Sequence, residues 1–175
     1  MNDITKITID VSKVSEADVR LSYNLITKTL IKEKLYITTM ESCTSGQIAS
    51  LITDTEGASA IIKGAAITYS NEAKIKEGVS SDIIEKYGVY SIETAGAMAE
   101  TILQKYGADI GIGVTGTFGN TDPANSDSIP GKVYCAVSSN TGKNSIKLLD
   151  ITLKGGGSRY QYKLAVADAI SKYIV

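Results

Sequence analysis

The stretch LYITTMESCTSGQIASLITD, residues 35–54, decides the fold. Leu35 to Met40 are β-formers in a row, and after Thr44 the residues Ile48, Leu51 and Ile52 fall on one face at helical spacing. A buried strand is therefore expected to run into a short helix across Glu41-Ser42-Cys43-Thr44, a turn that packs together an acid, two hydroxyls and a thiol. Such a turn is either plain helix capping or the place where a nucleophile is presented.

The elements around it set the architecture. VSEADVRLSYNLITKTLIKEKL (14–35) reads as a helix: Ser15 caps it, Val14 and Val19 staple across the cap, and Val19, Tyr23, Ile26 and Leu30 share a face. GAAITY (64–69) is a second strand, small and apolar enough for burial on both faces, and it passes into SNEAKIKEG, a helix of one or two turns ended by Gly78. SSDIIEKYG (80–88) is another short helix, capped by Ser80 or Ser81. SIETAGAMAETILQKYG (91–107) has Ser91 as cap, a stripe of Ala95, Met98, Ala99, Ile102 and Tyr106, and Gly107 as its stop. ADIGIGVTG (108–116) is a third buried strand. The segment 116–131 holds both prolines among Gly, Asn, Asp and Ser, and marks a long loop of the kind that usually serves function. KVYCAVSS and SIKLLDITLK, joined by NTGKN, suggest an antiparallel hairpin. GGGS then leads to a last helix with Tyr162, Val166, Ile170 and Tyr173 on one face. This order predicts an α/β fold, a three-layer sandwich with a mixed, mainly parallel sheet and helices on both faces. Residues 15–175 are expected to form a single domain, with 1–14 as either an added edge strand or a loose tail.

Composition narrows the function. Of 175 residues 43% are apolar and 21% charged, ordinary soluble usage, and no apolar run reaches membrane-spanning length. The N-terminus lacks a basic start followed by an apolar core, so a cytoplasmic chain is expected. Eighteen Lys plus Arg against 19 acids carry no basic surplus for nucleic acid, which leaves a small molecule or another copy as the expected partner. Cys43 and Cys135 are expected to be unpaired thiols. The absence of histidine excludes a Ser-His-Asp triad, a Cys-His dyad and a His-based zinc site, and two cysteines fall short of a thiolate cage. A hydrolase built from this chain must take Lys, Tyr or a carboxylate as its base.

In open sheets ligands bind beyond the carboxyl ends of strands. Three strand ends should open onto one edge: Glu41 to Thr44, Tyr69 to Lys74, and Thr115-Gly116. A lysine beside a serine in a dry site loses its proton readily and serves as base, and amides at a helix N-terminus supply an oxyanion site. Cys43 is the rival nucleophile, but neighbours on an extended turn point in opposite directions, and the preferred reading of both Cys43 and Cys135 is core. In GGGSRYQYK, glycines before a helix with Arg159 in its first turn either hold a phosphate or form a mobile connector with a solvated arginine. Neither TGKN nor PGKV is a Walker A motif.

ESCTSGQIASLITDTEGASAIIKGAAITYSNEAK (41–74) closely resembles the ESCTGG…GxxxTYSNEAK signature of the CinA C-terminal-domain family, whose members include nicotinamide-mononucleotide amidohydrolases. GVYSIETAGAMAE, GVTG and the late GxxR helix fit the same order, from about residue 16 to the end. The resemblance implies a Ser-Lys amidohydrolase without metal or cofactor that converts nicotinamide mononucleotide to nicotinic acid mononucleotide and ammonia. Ser42 matches the nucleophile and Lys74 the base. Tyr69 and Thr115 match hydroxyl residues that assist at the reacting amide, and Arg159 matches an arginine near the charged part of the ligand. Thr44, Gly46, Gly116 and Asn71, in the same motifs, are expected to bind substrate. The alternatives are another small amide as substrate, or a non-catalytic nucleotide-binding or regulatory module. The chain departs from the family at Ser45-Gly46, where a double glycine is usual, at TGTFGNTDP in place of TGIAGPGG, at Lys163 for a second arginine and at Ser158 where an acid is common. Phe118, Asn120 and the rest of the altered loop are expected near the pocket. Longer members also carry an N-terminal domain of a molybdopterin-cofactor-binding type; the chain is expected to be a stand-alone amidase, without membrane or nucleic-acid partner, and a homodimer or higher homo-oligomer.

Overall fold

The structure is a computed structural model that describes residues 3–142 and 144–175. Six strands, β1 (Ile4–Asp10), β2 (Ile37–Glu41), β3 (Ile62–Ile67), β4 (Ile110–Gly116), β5 (Lys132–Ser139) and β6 (Ser145–Lys154), form one sheet in the order β1-β6-β5-β4-β2-β3. The pairs β1/β6, β4/β2 and β2/β3 are parallel, while β5 is antiparallel to both its neighbours. The sheet is mixed and mainly parallel, as expected. Ile4 to Asp10, the stretch left open between strand and tail, runs beside Leu148 to Lys154 as an edge strand.

Among the described residues six α-helices cover the two faces: α1 (Glu16–Glu33), α2 (Gln47–Thr53), α3 (Asn71–Glu77), α4 (Ser81–Tyr87), α5 (Ile92–Tyr106) and α6 (Arg159–Ser171). Ser15 accepts a hydrogen bond from the Asp18 amide and buries Val19, Tyr23, Ile26 and Leu30 of α1 as the pattern required. That stripe joins Ile48, Leu51 and Ile52 of α2, Leu164, Val166 and Ile170 of α6, and one face of the central strands in a single apolar cluster. On the other face Met98 and Ile102 of α5 pack with Met40 and Ile84. The alternation in Ile110-Gly-Ile-Gly-Val114 has a steric cause: the branched residues enter the α1/α2/α6 layer, while Gly111 and Gly113 face α5. A Cβ on Gly113 would stand 2.2 Å from the Ala95 carbonyl oxygen, so the α5 backbone lies directly on the strand. Among the described residues no helix is long and apolar enough to cross a membrane.

β3 corrects the sequence reading. It spans Ile62–Ile67 rather than 64–69, and it is an outer strand, its residues alternating between half-buried and exposed. Its small residues answer a neighbour, since a Cβ on Gly64 would fall 2.4 Å from the Tyr106 ring.

Candidate active site

Because β2, β3 and β4 are parallel, their carboxyl ends open on one edge of the sheet. Beyond that edge lies a cavity of about 540 Å³, bounded by Ser42 and Cys43 after β2, Tyr69 to Glu72 after β3, Gly116 to Phe118 after β4, Asn120 to Asn125 of the following loop, Tyr90 and Arg159.

Ser42 is placed by its backbone. Its amide donates to the Val114 carbonyl of β4, and its carbonyl accepts from the Ser45 amide, which closes the turn. Ser45 then adopts φ 52° and Gly46 φ 86°, both left-handed. Two such residues in succession explain why a double glycine suits this turn, and Ser45 is the strained one.

Glu41 has a role that the sequence reading left unassigned. Its side chain is fully buried, and its carboxylate accepts from the amides of Gly46 at 3.0 Å, Ile48 at 3.2 Å and Ala49 at 3.0 Å and from the Thr39 hydroxyl at 3.0 Å. Glu41 thus caps α2 through the strand instead of through the turn, and its charge complements the positive end of the helix. The expected oxyanion site moves as a consequence: the amides of Gly46, Ile48 and Ala49 serve Glu41, whereas among the described residues the Cys43 amide, next to Ser42 on the cavity wall, donates to no oxygen acceptor. A glutamate at the end of a buried strand, five residues before a glycine that opens a helix, is the only sequence signal of this role, and it was not read as one.

Lys74 comes from the second turn of α3, a helix started by Ser70, whose hydroxyl accepts from the Ala73 amide. Lys74 is 1% exposed. Its ammonium donates to the Thr68 carbonyl at 2.8 Å and lies 3.4 Å from Ser42 Oγ. No carboxylate pairs with it among the described residues. Burial lowers its pKa to about 8, against a smaller upward pull from Cys43 and Asp122. Cys43 behaves oppositely: burial, with the Glu41 charge behind it, pushes the thiol up to about 12, so it stays protonated within the core. Cys135 is likewise buried and its thiol pushed up by desolvation.

The remaining expected residues divide. Tyr69 stands at the mouth, 60% exposed, with its hydroxyl accepting from Arg159 Nη2 at 3.0 Å. The Arg159 guanidinium lies over the Phe118 ring at 5.4 Å, and Phe118 stacks on Tyr162 at 5.5 Å. Asn71 lines the cavity and donates to Asn125 at 2.9 Å. Gly116 lines it too, at φ 153°, where a Cβ would meet Lys132 O at 2.5 Å. Three residues are not brought to the cavity. Thr115 is buried with its hydroxyl donating to the Val89 carbonyl at 2.9 Å. Thr44 is buried with its hydroxyl unpartnered. Gly46 gives its amide to Glu41 and faces Ile67. In this structure Thr44 and Gly46 belong to the turn after β2 and Thr115 to the end of β4, and none of the three lines the cavity.

The 117–131 loop contributes a network invisible in composition. Asp122 accepts from the Tyr90 hydroxyl at 2.6 Å, from Asn125 Nδ2 at 2.6 Å and from the Ala124 amide at 2.9 Å, and these hold its carboxyl below the usual range, the Tyr90 bond first. Burial and that bond push the Tyr90 phenol up. Asp127 accepts from the Tyr90 amide at 2.9 Å. Through Asn125 and Asn71 the loop is tied to α3, the helix that carries Lys74.

Comparison with known proteins agrees with this arrangement at the level of family and fold. The model of the CinA C-terminal domain matches residues 21–171. A Clostridium novyi (strain NT) protein named as competence-damage inducible is 36% identical over 152 residues, 86% of this chain and 36% of that protein. A CinA-like protein of Kosmotoga olearia is 39% identical over 136 residues, 77% of this chain and 32% of that protein. The chain spans about a third of the length of these curated relatives. Among solved structures, the competence/damage inducible protein CihA from Agrobacterium tumefaciens superposes with a TM-score of 0.76 at 26% identity, over 89% of this chain and 92% of that one. A CinA superfamily protein from Escherichia coli shares the fold with a TM-score of 0.72 at 24% identity, over 93% and 95%. With the family model covering five of the six strands and the helices that flank them, the chain belongs to the CinA C-terminal domain family.

Proposed function

We propose that this chain hydrolyses the carboxamide of nicotinamide mononucleotide, with Ser42 as nucleophile and Lys74 as base. The observation that carries the reading is a buried, unpaired lysine with a pKa of about 8, its Nζ 3.4 Å from a serine hydroxyl at the floor of a cavity. At neutral pH about one such lysine in ten is already neutral, close to the optimum for a base at working pH. Ser42 Oγ attacks the amide carbon as its proton passes to Lys74. The oxygen of the tetrahedral intermediate turns to the Cys43 amide beside Ser42 on the cavity wall, which among the described residues donates to no oxygen acceptor. Lys74 returns the proton to the leaving nitrogen, and ammonia departs. Water then attacks the Ser42 ester with Lys74 again as base, the acid is released, and Ser42 recovers its proton. Arg159 and Tyr69, paired at the mouth, are suited to the phosphate end.

The test is to incubate the purified chain with the mononucleotide and measure ammonia and nicotinic acid mononucleotide together. Equal amounts of both from the parent and neither from Ser42→Ala support the reading. Saturable binding of the mononucleotide by the parent without ammonia would replace it with a nucleotide-binding module.

A further inference from the structure

The cavity wall carries two opposite charges that do not neutralise each other. Arg159 stands at the mouth with Tyr69 and over Phe118. Asp122 lies on the loop side, among neutral hydroxyl and amide partners, and among the described residues neither group forms an ion pair. The Asp122 carboxylate lines the same cavity as Ser42, and the Asn125–Asn71 link ties it to the first turn of α3, the helix that carries Lys74. Glu72, the other acid on the wall, is exposed and turned to Ser70 and its own amide. The cavity therefore presents a negative group on its loop wall and a positive one at the entrance.

A ligand that satisfies both is an internal zwitterion, with a cation beside the reacting amide and an anion farther out. A pyridinium ring bearing the carboxamide and a distal phosphate is such a molecule; the free amide has a neutral ring. We propose that Asp122 is the counter-ion for the positively charged ring of the substrate and so selects N-substituted pyridinium amides over neutral ones. This assignment rests on the reading of the site given above. It gives the altered loop a purpose, because Asp122 lies in the part of the loop where the chain leaves the pattern of its family, and Tyr90 and Asn125 fix the carboxylate with neutral donors that leave its charge intact.

The experiment compares two ligands of nearly the same shape, nicotinamide mononucleotide and its 1,4-dihydro form, whose ring is neutral. Their affinities are measured by calorimetry at pH 8 in a Ser42→Ala background, where turnover plays no part. The oxidised form should bind about tenfold more tightly, equivalent to about 1.4 kcal/mol. Asp122→Asn in the same background should reduce that preference to near unity, whereas Asp127→Asn, which removes a loop carboxylate off the cavity wall, should retain it. Equal affinities in the Ser42→Ala chain overturn the assignment even if Asp122→Asn fails to fold, as does an unchanged preference in a folded Asp122→Asn chain. Because binding is read, a failure of the amidase chemistry leaves the test intact. Ammonia release together with equal affinities would refute the Asp122 role alone.

Discussion

Replacing Lys74 with methionine keeps the buried stem and removes the charge, and its effect on stability has a sign that depends on pH. In the folded chain the lysine titrates near 8, against 10.5 when unperturbed. Below pH 8 both states carry the proton, and the folded state bears the full penalty of the buried ammonium, about 3 kcal/mol at 1.36 kcal/mol per pKa unit. Between pH 8 and 10.5 the unfolded chain holds more protons than the folded one, so the parent gains stability with rising pH at up to roughly 1.4 kcal/mol per unit. Methionine also forfeits the bonds to Thr68 O and Ser42 Oγ, together worth roughly 1–2 kcal/mol. Lys74→Met should therefore be more stable than the parent by about 1–2 kcal/mol at pH 7 and less stable by a similar amount near pH 10.5, the two curves crossing around pH 9. Urea midpoints of both proteins at pH 7, 8, 9 and 10 measure this directly, and other ionisations cancel in the difference. A gap that stays constant over the range would refute the buried, proton-poor lysine on which the mechanism rests.

Three further outcomes follow from the same geometry. Glu41→Ala strips the Gly46, Ile48 and Ala49 amides and the Thr39 hydroxyl of their acceptor; it should cost about 3 kcal/mol or more in chemical denaturation and reduce turnover through a displaced Ser42. Gly113→Ala drives a methyl into the Ala95 carbonyl at 2.2 Å and should destabilise by about 3 kcal/mol or prevent folding, as read by thermal melting. Ser45→Gly relieves the left-handed backbone and should raise stability by roughly 0.5–1 kcal/mol with turnover retained.

Local rules made most of the fold legible. Ser15 and Ser91 cap their helices, the 3.6-residue stripes of α1 and α5 are buried, and Gly107 ends α5 in the left-handed conformation. The run from strand to tight turn to helix at 37–53 put Ser42 at a carboxyl edge, and the spacing to Lys74 did the same after β3. Features that depend on distant partners were not legible. Whether GAAI is central or outer is decided by which strands pair, and its small residues reflect Tyr106 from α5, some 40 positions on. Thr115 looks like a ligand by its place at a strand end, yet the Val89 carbonyl claims its hydroxyl. Glu41 reads as the polar end of a strand until the amides of α2 are seen around it. The Tyr90–Asp122–Asn125–Asn71 network joins residues up to 54 positions apart, and turn composition carries no trace of it.

The most direct measurement of the Ser42–Lys74 pair is the pH dependence of kcat/KM for ammonia release from nicotinamide mononucleotide between pH 6 and 9. With Lys74 as base at about 8, the rate constant should rise nearly tenfold per pH unit on the acid side and level off above pH 8, with Lys74→Met inactive throughout. A flat profile across that range, or full turnover by Lys74→Met, would contradict the account.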